Sequence, residues 1–314
     1  MSRNEGHRSA LLQEVIEALA IKRDDTVVDA TLGGAGHAKA ITDLLNSQGM
    51  LIGLDADSDA VLRAKEVLAG AKPRMHLVTA NFRDLKKVLA ELGIAQVTKV
   101  LFDLGWSSYQ LDSGRGFSFQ KDEPLQMTYA KDPGGLTAAT IVNTWGEQSI
   151  ADVIFGWGDE RYARRIAKAI VARRETKKFG TSRELAETIR AAVPPPYRFG
   201  RLHPATKTFQ ALRIAVNDEL GALKEGIAAA WEELAQGGRI AVISFHSIED
   251  REVKHLFAKF VKEGGKLIQK KPIRPSLEET KTNPRARSAK LRVIQKNYDQ
   301  DISYQQTEAL DLPG

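Results

Sequence analysis

The chain has 314 residues, of which 42% are apolar and 27% charged, and this composition is typical of a folded globular protein. The absence of cysteine excludes disulfides, thiolate zinc sites and a cysteine nucleophile. Glutamates interrupt the N-terminal region, and no apolar run approaches the roughly eighteen residues of a membrane span. We therefore expect a soluble, cytoplasmic protein with no membrane partner.

Basic residues are concentrated in two stretches of the chain. The net charge of +6 and the pI near 9.3 indicate an anionic partner. Residues 161–178 hold eight Lys and Arg against one acid, and residues 281–292 hold five without any acid. Two interpretations stay open, a nucleic-acid-binding surface and an ordinary solvated helix face.

Short apolar runs alternate with helical patterns, which indicates a parallel α/β sheet. The pattern predicts strands at residues 26–30, 50–54, 75–79, 100–103 and 239–245, with a last edge strand at 290–295. Helices are predicted at residues 35–45 and 57–68, and a mobile loop at residues 272–283.

The alternation breaks after the fourth predicted strand. Residues 111–206 show several helical patterns and no strand pattern. Thr181 and Glu184 have the spacing of a capping box at the start of a helix, and Pro194 ends that helix. The sequence therefore predicts a discontinuous sheet domain, residues 1–110 and 207–314, with a helical substrate-recognition domain inserted at residues 111–206.

Ligands of an open parallel sheet bind at the carboxyl ends of its strands. The first predicted strand runs into a glycine-rich segment that extends from Asp29 to His37. Glycines there leave helix amides free for a ligand, although many strand-to-helix turns use glycine for steric reasons alone. The turn lacks the G-x-G-x-x-G spacing of a dinucleotide site.

The next three strands also end in residues that suit ligand binding. Asp55 follows the glycines by about twenty residues, where a carboxylate accepts hydrogen bonds from ribose hydroxyls, and helix capping is the alternative. Phe82 suits stacking on adenine, although a phenylalanine at a strand end also suits a core. Asp103 precedes a polar loop with Ser107 and Ser108, which favours a site over a helix cap.

Ten short blocks, in order over nearly the whole chain, resemble the signature blocks of the bacterial MraW/RsmH family. They are HRSALLQE at 7–14, DATLG at 29–33, DLG at 103–105, SS at 107–108, RGFSF at 115–119, HPAT at 203–206, FQALRIAVN at 209–217, ISFHS at 243–247, EDR at 249–251 and NPRARSA at 283–289. So many ordered matches do not arise by chance.

The resemblance implies a class I (Rossmann-like) methyltransferase fold and S-adenosylmethionine as the cofactor. The implied acceptor is N4 of a cytosine in the decoding centre of 16S rRNA, at the P site. The implied partner is 16S rRNA or the small ribosomal subunit, while monomer and homodimer both stay open. The donor-binding positions implied by the resemblance are Gly34, Ala35, Gly36, His37, Asp55, Phe82, Asp103 and Gln110.

One block departs from the family pattern. Gln126 and Thr128 stand in PLQMTY, residues 124–129, where the family usually reads PLDMRM. The departure puts any role of this segment in catalysis or in orienting RNA in doubt, and it leaves the donor site intact.

The implied chemistry needs a positioned hydrogen-bond acceptor. The N4 lone pair of cytosine is delocalised into the ring, so an enzyme must hold the amino group in line with the sulfonium methyl and accept its hydrogen bond. Asp103 is the main candidate, and Ser107, Ser108 and His246 are weaker ones, with a structural role as the alternative for His246. Sulfonium transfer needs no metal, and no metal-ligand spacing stands out.

The inserted helical domain is interpreted as the RNA clamp, because a target base must be presented unstacked. Its candidate RNA-binding residues are Arg161, Arg164, Arg165, Lys168, Arg173 and Arg174.

Two rival classes of protein remain. A nicotinamide-dependent oxidoreductase would share the sheet and Asp55 but lacks the glycine spacing. A non-catalytic RNA-binding ribosome-assembly factor would share the basic surface and would explain Gln126 and Thr128.

Overall fold

The computed structural model describes residues 8–105, 114–129 and 134–297, and the chain divides into two compact units. The sheet unit comprises Met1–Gly105 and Gly221–Gly314, and the helical unit comprises Trp106–Leu220. In the described residues, no helix combines the length and the apolar character that crossing a membrane requires.

Among the described residues, the sheet unit contains seven strands. They are β1 (Thr26–Asp29), β2 (Met50–Asp55), β3 (Arg74–Thr79), β4 (Val97–Asp103), β5 (Leu234–Ser244), β6 (Gly265–Leu267) and β7 (Lys290–Lys296). Their order is β3-β2-β1-β4-β5-β7-β6, with β7 antiparallel to both of its neighbours and all other pairs parallel. The five predicted parallel strands and the predicted strand at 290–295 are confirmed.

The position of β7 corrects one prediction. It is an interior strand rather than an edge strand, because β6 pairs with its outer side. Since β6 has only three residues, it is too short to leave a periodic pattern in the sequence.

Helices surround the strands of the sheet unit. They span Leu12–Leu19, Gly36–Leu44, Ser58–Val67, Leu85–Glu91, Ser247–Lys262 and Leu277–Thr282, and helix Glu219–Glu233 enters this unit from the other. The prediction of a mobile loop at residues 272–283 is wrong for its second half. There, the Ser276 hydroxyl accepts a hydrogen bond from Glu279 N at 3.0 Å and starts a short helix.

The helical unit packs around its own apolar core. Its helices span Ala138–Thr144, Glu147–Gly158, Ala163–Thr176, Ser182–Ala192, Pro195–Arg198 and Thr206–Asn217. Their buried residues include Ile141, Ile154, Ile166, Leu185 and Leu212, at helical spacing within each element. The predicted capping box is confirmed, because Thr181 and Glu184 satisfy each other's backbone amides.

The helical unit extends further along the chain than residue 206, where the sequence placed its end. Helix Thr206–Asn217 packs on helix Glu147–Gly158 within this unit. A side chain at Gly158 would lie 2.7 Å from Lys207 O, so the glycine permits the close approach. Gln210 Nε2 also donates to Trp157 O at 3.2 Å. The helix therefore belongs to the helical unit.

Candidate active site at the carboxyl ends of the strands

The turn after β1 connects the ends of three neighbouring strands. Leu32 N donates to Leu54 O at 3.0 Å, and Asp103 N donates to Thr31 Oγ1 at 2.7 Å. The backbone of Gly33 has φ +49°, a left-handed conformation that favours glycine. The turn is thus fixed between β2 and β4 before the next helix begins.

Helix Gly36–Leu44 starts directly after this turn, so its first amides have no partner within the helix. Ala35 adopts the left-handed conformation with φ +60°, although it is not a glycine, and its side chain is fully buried. A Cβ at Gly36 would overlap the Ser9 hydroxyl. The close approach of the N-terminal segment therefore explains why residue 36 is glycine.

Asp55 at the end of β2 is oriented by two backbone amides. Its Oδ2 accepts from Gly33 N at 2.8 Å, and its Oδ1 accepts from Asp57 N at 2.9 Å. Burial raises the pKa of Asp55, against the lowering effect of these hydrogen bonds. Helix capping, the alternative role, falls to Asp57, whose Oδ1 accepts from Asp59 N. Each oxygen of Asp55 retains a lone pair for a ligand hydroxyl.

Asp29, His37 and Asp103 form a carboxylate–histidine cluster in which Asp29 and His37 are buried and Asp103 is partly buried. Nδ1 of His37 lies 3.4 Å from Asp103 Oδ2, and its Nε2 lies 3.1 Å from Ala10 O. Asp29 is 1% exposed, and its Oδ1 accepts from Thr31 N at 3.1 Å. The ends of β1 and β4 are neighbours in the sheet, which explains how the two carboxylates meet one imidazole.

Burial and the neighbouring charges of the cluster shift the pKa values of Asp29 and His37. Burial raises the pKa of Asp29 to about 6, against the lowering effects of the His37 charge and the Thr31 amide. Burial also lowers the pKa of His37, but the hydrogen bond and charge of Asp103 and the charge of Asp29 outweigh it, so the net pKa is raised. The cluster therefore favours a protonated His37.

Two carboxylate oxygens of the cluster are left over. Asp29 Oδ2 and Asp103 Oδ1 are buried and have no hydrogen-bond partner among the residues that the structure describes. A buried carboxylate oxygen without a partner is costly. A ligand with positive charge or hydrogen-bond donors at this point would satisfy both.

Phe82 lies just beyond the end of β3, in a short 3-10 helix that Asn81 caps. Its ring meets Phe102 edge to face at 5.6 Å between centroids. A Cβ at Gly226 would lie 2.7 Å from Phe82 Cδ2, so the helix that contains this glycine also confines the ring. Phe82 is held in place while remaining partly exposed.

The N-terminal segment links the glycine turn to a distant part of the chain. Ala10 O faces His37, and the next residue, Leu11, donates its amide to Glu279 Oε1 at 2.7 Å. Asn283 Nδ2 donates to Arg8 O at 3.2 Å. Three of the resemblance blocks, at residues 7–14, 29–33 and 283–289, thus converge at one end of the sheet.

The other predicted catalytic and donor-binding residues divide into two groups. Ser107, Ser108 and Gln110 lie outside the described residues. His246 is the N-cap of helix Ser247–Lys262, where its Nδ1 accepts from Glu249 N at 3.3 Å and its Nε2 lies 3.0 Å from Glu249 Oε1. These contacts are those of a helix cap, the structural role that the sequence left as the alternative for His246, while its catalytic role stays a prediction.

Asp29 had no role assigned from the sequence, although it opens one of the resemblance blocks. The signal was present, because Asp29 ends a strand as Asp55 and Asp103 do. The ends of β1, β2 and β4 together carry three carboxylates, and the charges of Asp55 and Asp103 both act on Asp29.

The candidate RNA-binding residues of helix Ala163–Thr176 are not equivalent. Arg164, Arg165 and Lys168 are exposed. Arg174 is partly buried, and its Nη1 donates to Val142 O at 3.0 Å and to Trp145 O at 2.7 Å. Arg173 lies over the Phe179 ring and pairs with Glu184 at 3.7 Å.

Arg161, just before this helix, is exposed but has aromatic neighbours. Its guanidinium lies 4.8 Å from the Tyr162 ring and 5.0 Å from the Tyr197 ring. Arg161, Arg173 and Arg174 therefore already contact the protein, whereas Arg164, Arg165 and Lys168 are available to a partner.

The strand order separates this fold from the dinucleotide-binding one. An antiparallel strand between β5 and β6 replaces the all-parallel arrangement, and together with the polar strand ends it defines a class I methyltransferase of the Rossmann-like type. A model of the MraW methylase family matches residues 4–297, and the chain belongs to this family. Methylases of this family use S-adenosylmethionine as the methyl donor.

Relatives match the chain over almost its full length. A ribosomal RNA small subunit methyltransferase H from Heliobacterium mobile is 45% identical over 308 residues, covering 92% of this chain and 98% of the relative. A protein of the same name from a Sulfurihydrogenibium species is 46% identical over 288 residues, covering 91% of this chain and 98% of the relative.

Solved structures are similar at a lower level. An rRNA methylase from Streptococcus thermophilus has a TM-score of 0.43 at 10% identity, covering 91% of this chain and 94% of that one. NSun6 from Pyrococcus horikoshii has a TM-score of 0.47 at 15% identity, covering 95% of this chain and 56% of that one. The family membership rests on the sequence relatives.

Proposed function

We propose that this methylase transfers a methyl group from S-adenosylmethionine to N4 of a cytosine in 16S rRNA, at the P site of the decoding centre, in the cytoplasm. The names of the relatives support small-subunit ribosomal RNA as the substrate. The ten ordered blocks support the N4 position. The binding of S-adenosylmethionine as the methyl donor is supported by two buried oxygens, one on Asp29 and one on Asp103, that have no hydrogen-bond partner among the described residues.

The strand ends fit this donor chemically. S-adenosylmethionine carries two positive charges, a sulfonium and an ammonium group, and the site offers two carboxylates beside a single histidine, each with one buried oxygen that has no hydrogen-bond partner among the described residues. Asp29 and Asp103 would hold the charged half, Asp55 the ribose hydroxyls and Phe82 the adenine. When bound, the cofactor supplies an electrophilic methyl group.

Asp103 is assigned to the methyl acceptor as well as to the donor. Its Oδ2 faces protonated His37, so the carboxylate is oriented and Oδ1 remains for a ligand. Oδ1 would accept a hydrogen bond from N4 and so hold the amino group for in-line transfer. Methylation releases a proton from that nitrogen, and Asp103 is a base within reach of the same atom.

The helical unit would contact RNA through its exposed basic face. Arg164, Arg165 and Lys168 lie on the side of their helix opposite to buried Ile166 and Ile170. Phosphate contacts from such a face give affinity without sequence readout. Recognition of the target cytosine is therefore assigned to the sheet unit.

The departures at Gln126 and Thr128 do not favour the rival assembly factor. Leu125 and Met127, their neighbours, are buried in the core of the helical unit. Asn217 donates to Met127 O at 2.7 Å and accepts from Tyr129 N at 2.8 Å, which fixes the segment. The segment has packing contacts in that unit, so its departures are compatible with an active donor site.

The test is nucleoside mass spectrometry of small-subunit rRNA from cells with and without the gene. We expect N4-methylated cytidine to be lost without the gene and restored by the wild-type chain. Restored ribosome assembly with unchanged cytidine methylation would instead support the non-catalytic assembly factor.

A further inference from the structure

Two large apolar side chains of the helical unit are exposed three positions apart in the chain. Phe199 is 74% exposed and Leu202 is 60% exposed, in the connection between helix Pro195–Arg198 and helix Thr206–Asn217. Arg201, between them, is also exposed. We call residues 198–203 the aromatic loop. An exposed pair of this kind, as opposed to scattered single residues, indicates a binding surface.

The aromatic loop is anchored on its N-terminal side. Tyr197, the preceding residue, donates its hydroxyl to the fully buried Glu160. Arg198 Nη2 donates to Ala191 O and Val193 O, both at 3.2 Å, and so caps the end of helix Ser182–Ala192. These contacts hold the chain immediately before Phe199.

The C-terminal side is anchored as well. The His203 ring stacks on Phe119 at 4.4 Å between centroids, with an interplanar angle of 10°. Its Nδ1 accepts from Ala205 N at 3.2 Å, and Phe119 in turn meets buried Phe209 edge to face. Phe199 is therefore presented from a loop fixed at both ends, which reduces the entropy lost when a ligand binds.

The chain on both sides of the aromatic loop is cationic. Residues 188–217 contain no Asp or Glu, while Arg190, Arg198, Arg201 and Lys207 are basic. Burial and the positive charge of Arg190 together lower the pKa of His203, which places Arg190 near the loop. Polyanions with flat, apolar faces complement a surface that combines positive charge with an exposed ring. Unpaired nucleotides have this combination.

We propose that the aromatic loop binds an unpaired nucleotide of RNA, with Phe199 stacking on the base and Arg201 contacting the phosphate backbone. This inference rests on the proposed function, because it takes RNA as the substrate. The loop would hold a nucleotide other than the target base, since Phe199 belongs to the helical unit and the donor site to the sheet unit. Leu202 would pack beside the stacked base.

The test uses a fluorescent oligoribonucleotide of about twelve unpaired nucleotides with 2-aminopurine at one position. Phe199→Ala should weaken binding on the order of tenfold, and Phe199→Tyr should retain it, because any base stacks on either ring. Quenching of 2-aminopurine on binding should be lost in Phe199→Leu, which keeps an apolar side chain but no ring. Circular dichroism melts confirm folding, and the exposed residue is not expected to change them.

Phe155→Ala is the matched control, because Phe155 is a 66% exposed phenylalanine on another helix of the same unit. Its RNA affinity should equal that of the wild type. Equal losses for Phe155→Ala and Phe199→Ala, or wild-type affinity and quenching in Phe199→Leu, would overturn the inference. So would a loss of self-association in Phe199→Ala with unchanged RNA affinity, which would assign the surface to a second copy of the chain.

Failure of the proposed function gives a different result. If the wild-type chain methylates rRNA while Phe199→Ala binds the oligoribonucleotide normally, only the aromatic-loop inference is wrong. If the wild-type chain neither binds RNA nor methylates it, both proposals are wrong.

Discussion

His37 and Asp103 face each other at 3.4 Å between Nδ1 and Oδ2, and the other ring nitrogen of His37 faces Ala10 O at 3.1 Å. Because both neighbours of the imidazole are hydrogen-bond acceptors, the protonated ring with two N–H donors satisfies both. We therefore propose that His37 is a positioning residue, which orients one oxygen of Asp103 and leaves the other for a ligand. The side chain of His37 would act on the methyl donor only through Asp103.

The first prediction concerns Asp103. Asp103→Asn keeps the size of the side chain but removes its charge and one acceptor oxygen. We expect the single-turnover rate of methyl transfer to fall about a hundredfold or more, with unchanged RNA affinity, because the hydrogen bond to N4 acts in the transition state. Rapid-quench kinetics with saturating cofactor and RNA measure this rate.

Asp43→Asn is the matched control for this experiment. Asp43 lies on the helix that begins at Gly36 and its side chain is 60% exposed, so its loss should leave transfer unchanged. A near-normal rate in Asp103→Asn would make Asp103 a structural residue and move the catalytic assignment to Ser107 and Ser108.

The second prediction concerns pH and Asp29. The folded pKa of about 6 lies above the ordinary 3.8, so the folded protein holds a proton that the unfolded chain has already lost in this window. Stability from this group is fully present below about pH 4 and is lost as pH rises through 6, by up to roughly 3 kcal/mol. Asp29→Asn imitates the protonated form, and the variant should be more stable than the wild type at about pH 8.

The same substitution should weaken the protein as a methylase. With the carboxylate replaced, the site loses part of its attraction for a cationic cofactor, so S-adenosylmethionine affinity should fall while stability rises. Urea unfolding at about pH 5 and 8 and calorimetric titration measure the two effects. A variant that gains stability without losing cofactor affinity would place Asp29 outside the donor site.

The third prediction concerns Asp55. Asp55→Ala should weaken S-adenosylmethionine binding by about 1–3 kcal/mol, through loss of the ribose contact and of the hydrogen bond that holds Gly33. Asp55→Asn retains one acceptor oxygen and should lose less. Isothermal titration calorimetry measures both affinities. Wild-type affinity in Asp55→Ala would remove this residue from the site.

The fourth prediction separates binding arginines from structural ones. A triple variant, Arg164→Gln, Arg165→Gln and Lys168→Gln, should bind RNA more weakly. The slope of log affinity against log salt concentration should become shallower by somewhat under one unit for each phosphate contact that is lost. Its thermal stability and its cofactor affinity should not change. Fluorescence anisotropy at several salt concentrations measures the slope.

Arg174→Gln is the structural counterpart. Its guanidinium satisfies Val142 O and Trp145 O, so the loss should reduce stability by about 1–3 kcal/mol and leave the salt slope unchanged. If the triple variant keeps the wild-type slope, the exposed face is an ordinary solvated one. The five basic residues of segment 281–292 then become the candidates.

Much of the sheet unit was predictable because its signals are local. The strand that ends at Asp55 and the helix capped by Asp57 can each be predicted from a few consecutive residues. The capping box at Thr181 is a second local signal. By contrast, β6 has three residues and no pattern, and its pairing with β7 becomes apparent only in the folded sheet.

The site was less predictable because its contacts join distant segments. Nothing near His37 in the sequence indicates that its ring lies between Ala10 O and Asp103. The exposure of Phe199 likewise depends on anchors at Glu160 and Phe119, far away in the chain. Charge composition could not separate Arg164 from Arg174. The two differ because the Arg174 side chain binds the carbonyls of Val142 and Trp145, whereas Arg164 is exposed.

The most direct measurement combines the purified chain, S-adenosylmethionine with a deuterated methyl group, and small-subunit RNA from cells that lack the gene. After digestion to nucleosides, mass spectrometry locates the label. We expect deuterated N4-methylcytidine with the wild-type chain and little of it with Asp103→Asn. Label on a ring carbon or on another nucleoside, or RNA binding without any label, would contradict it.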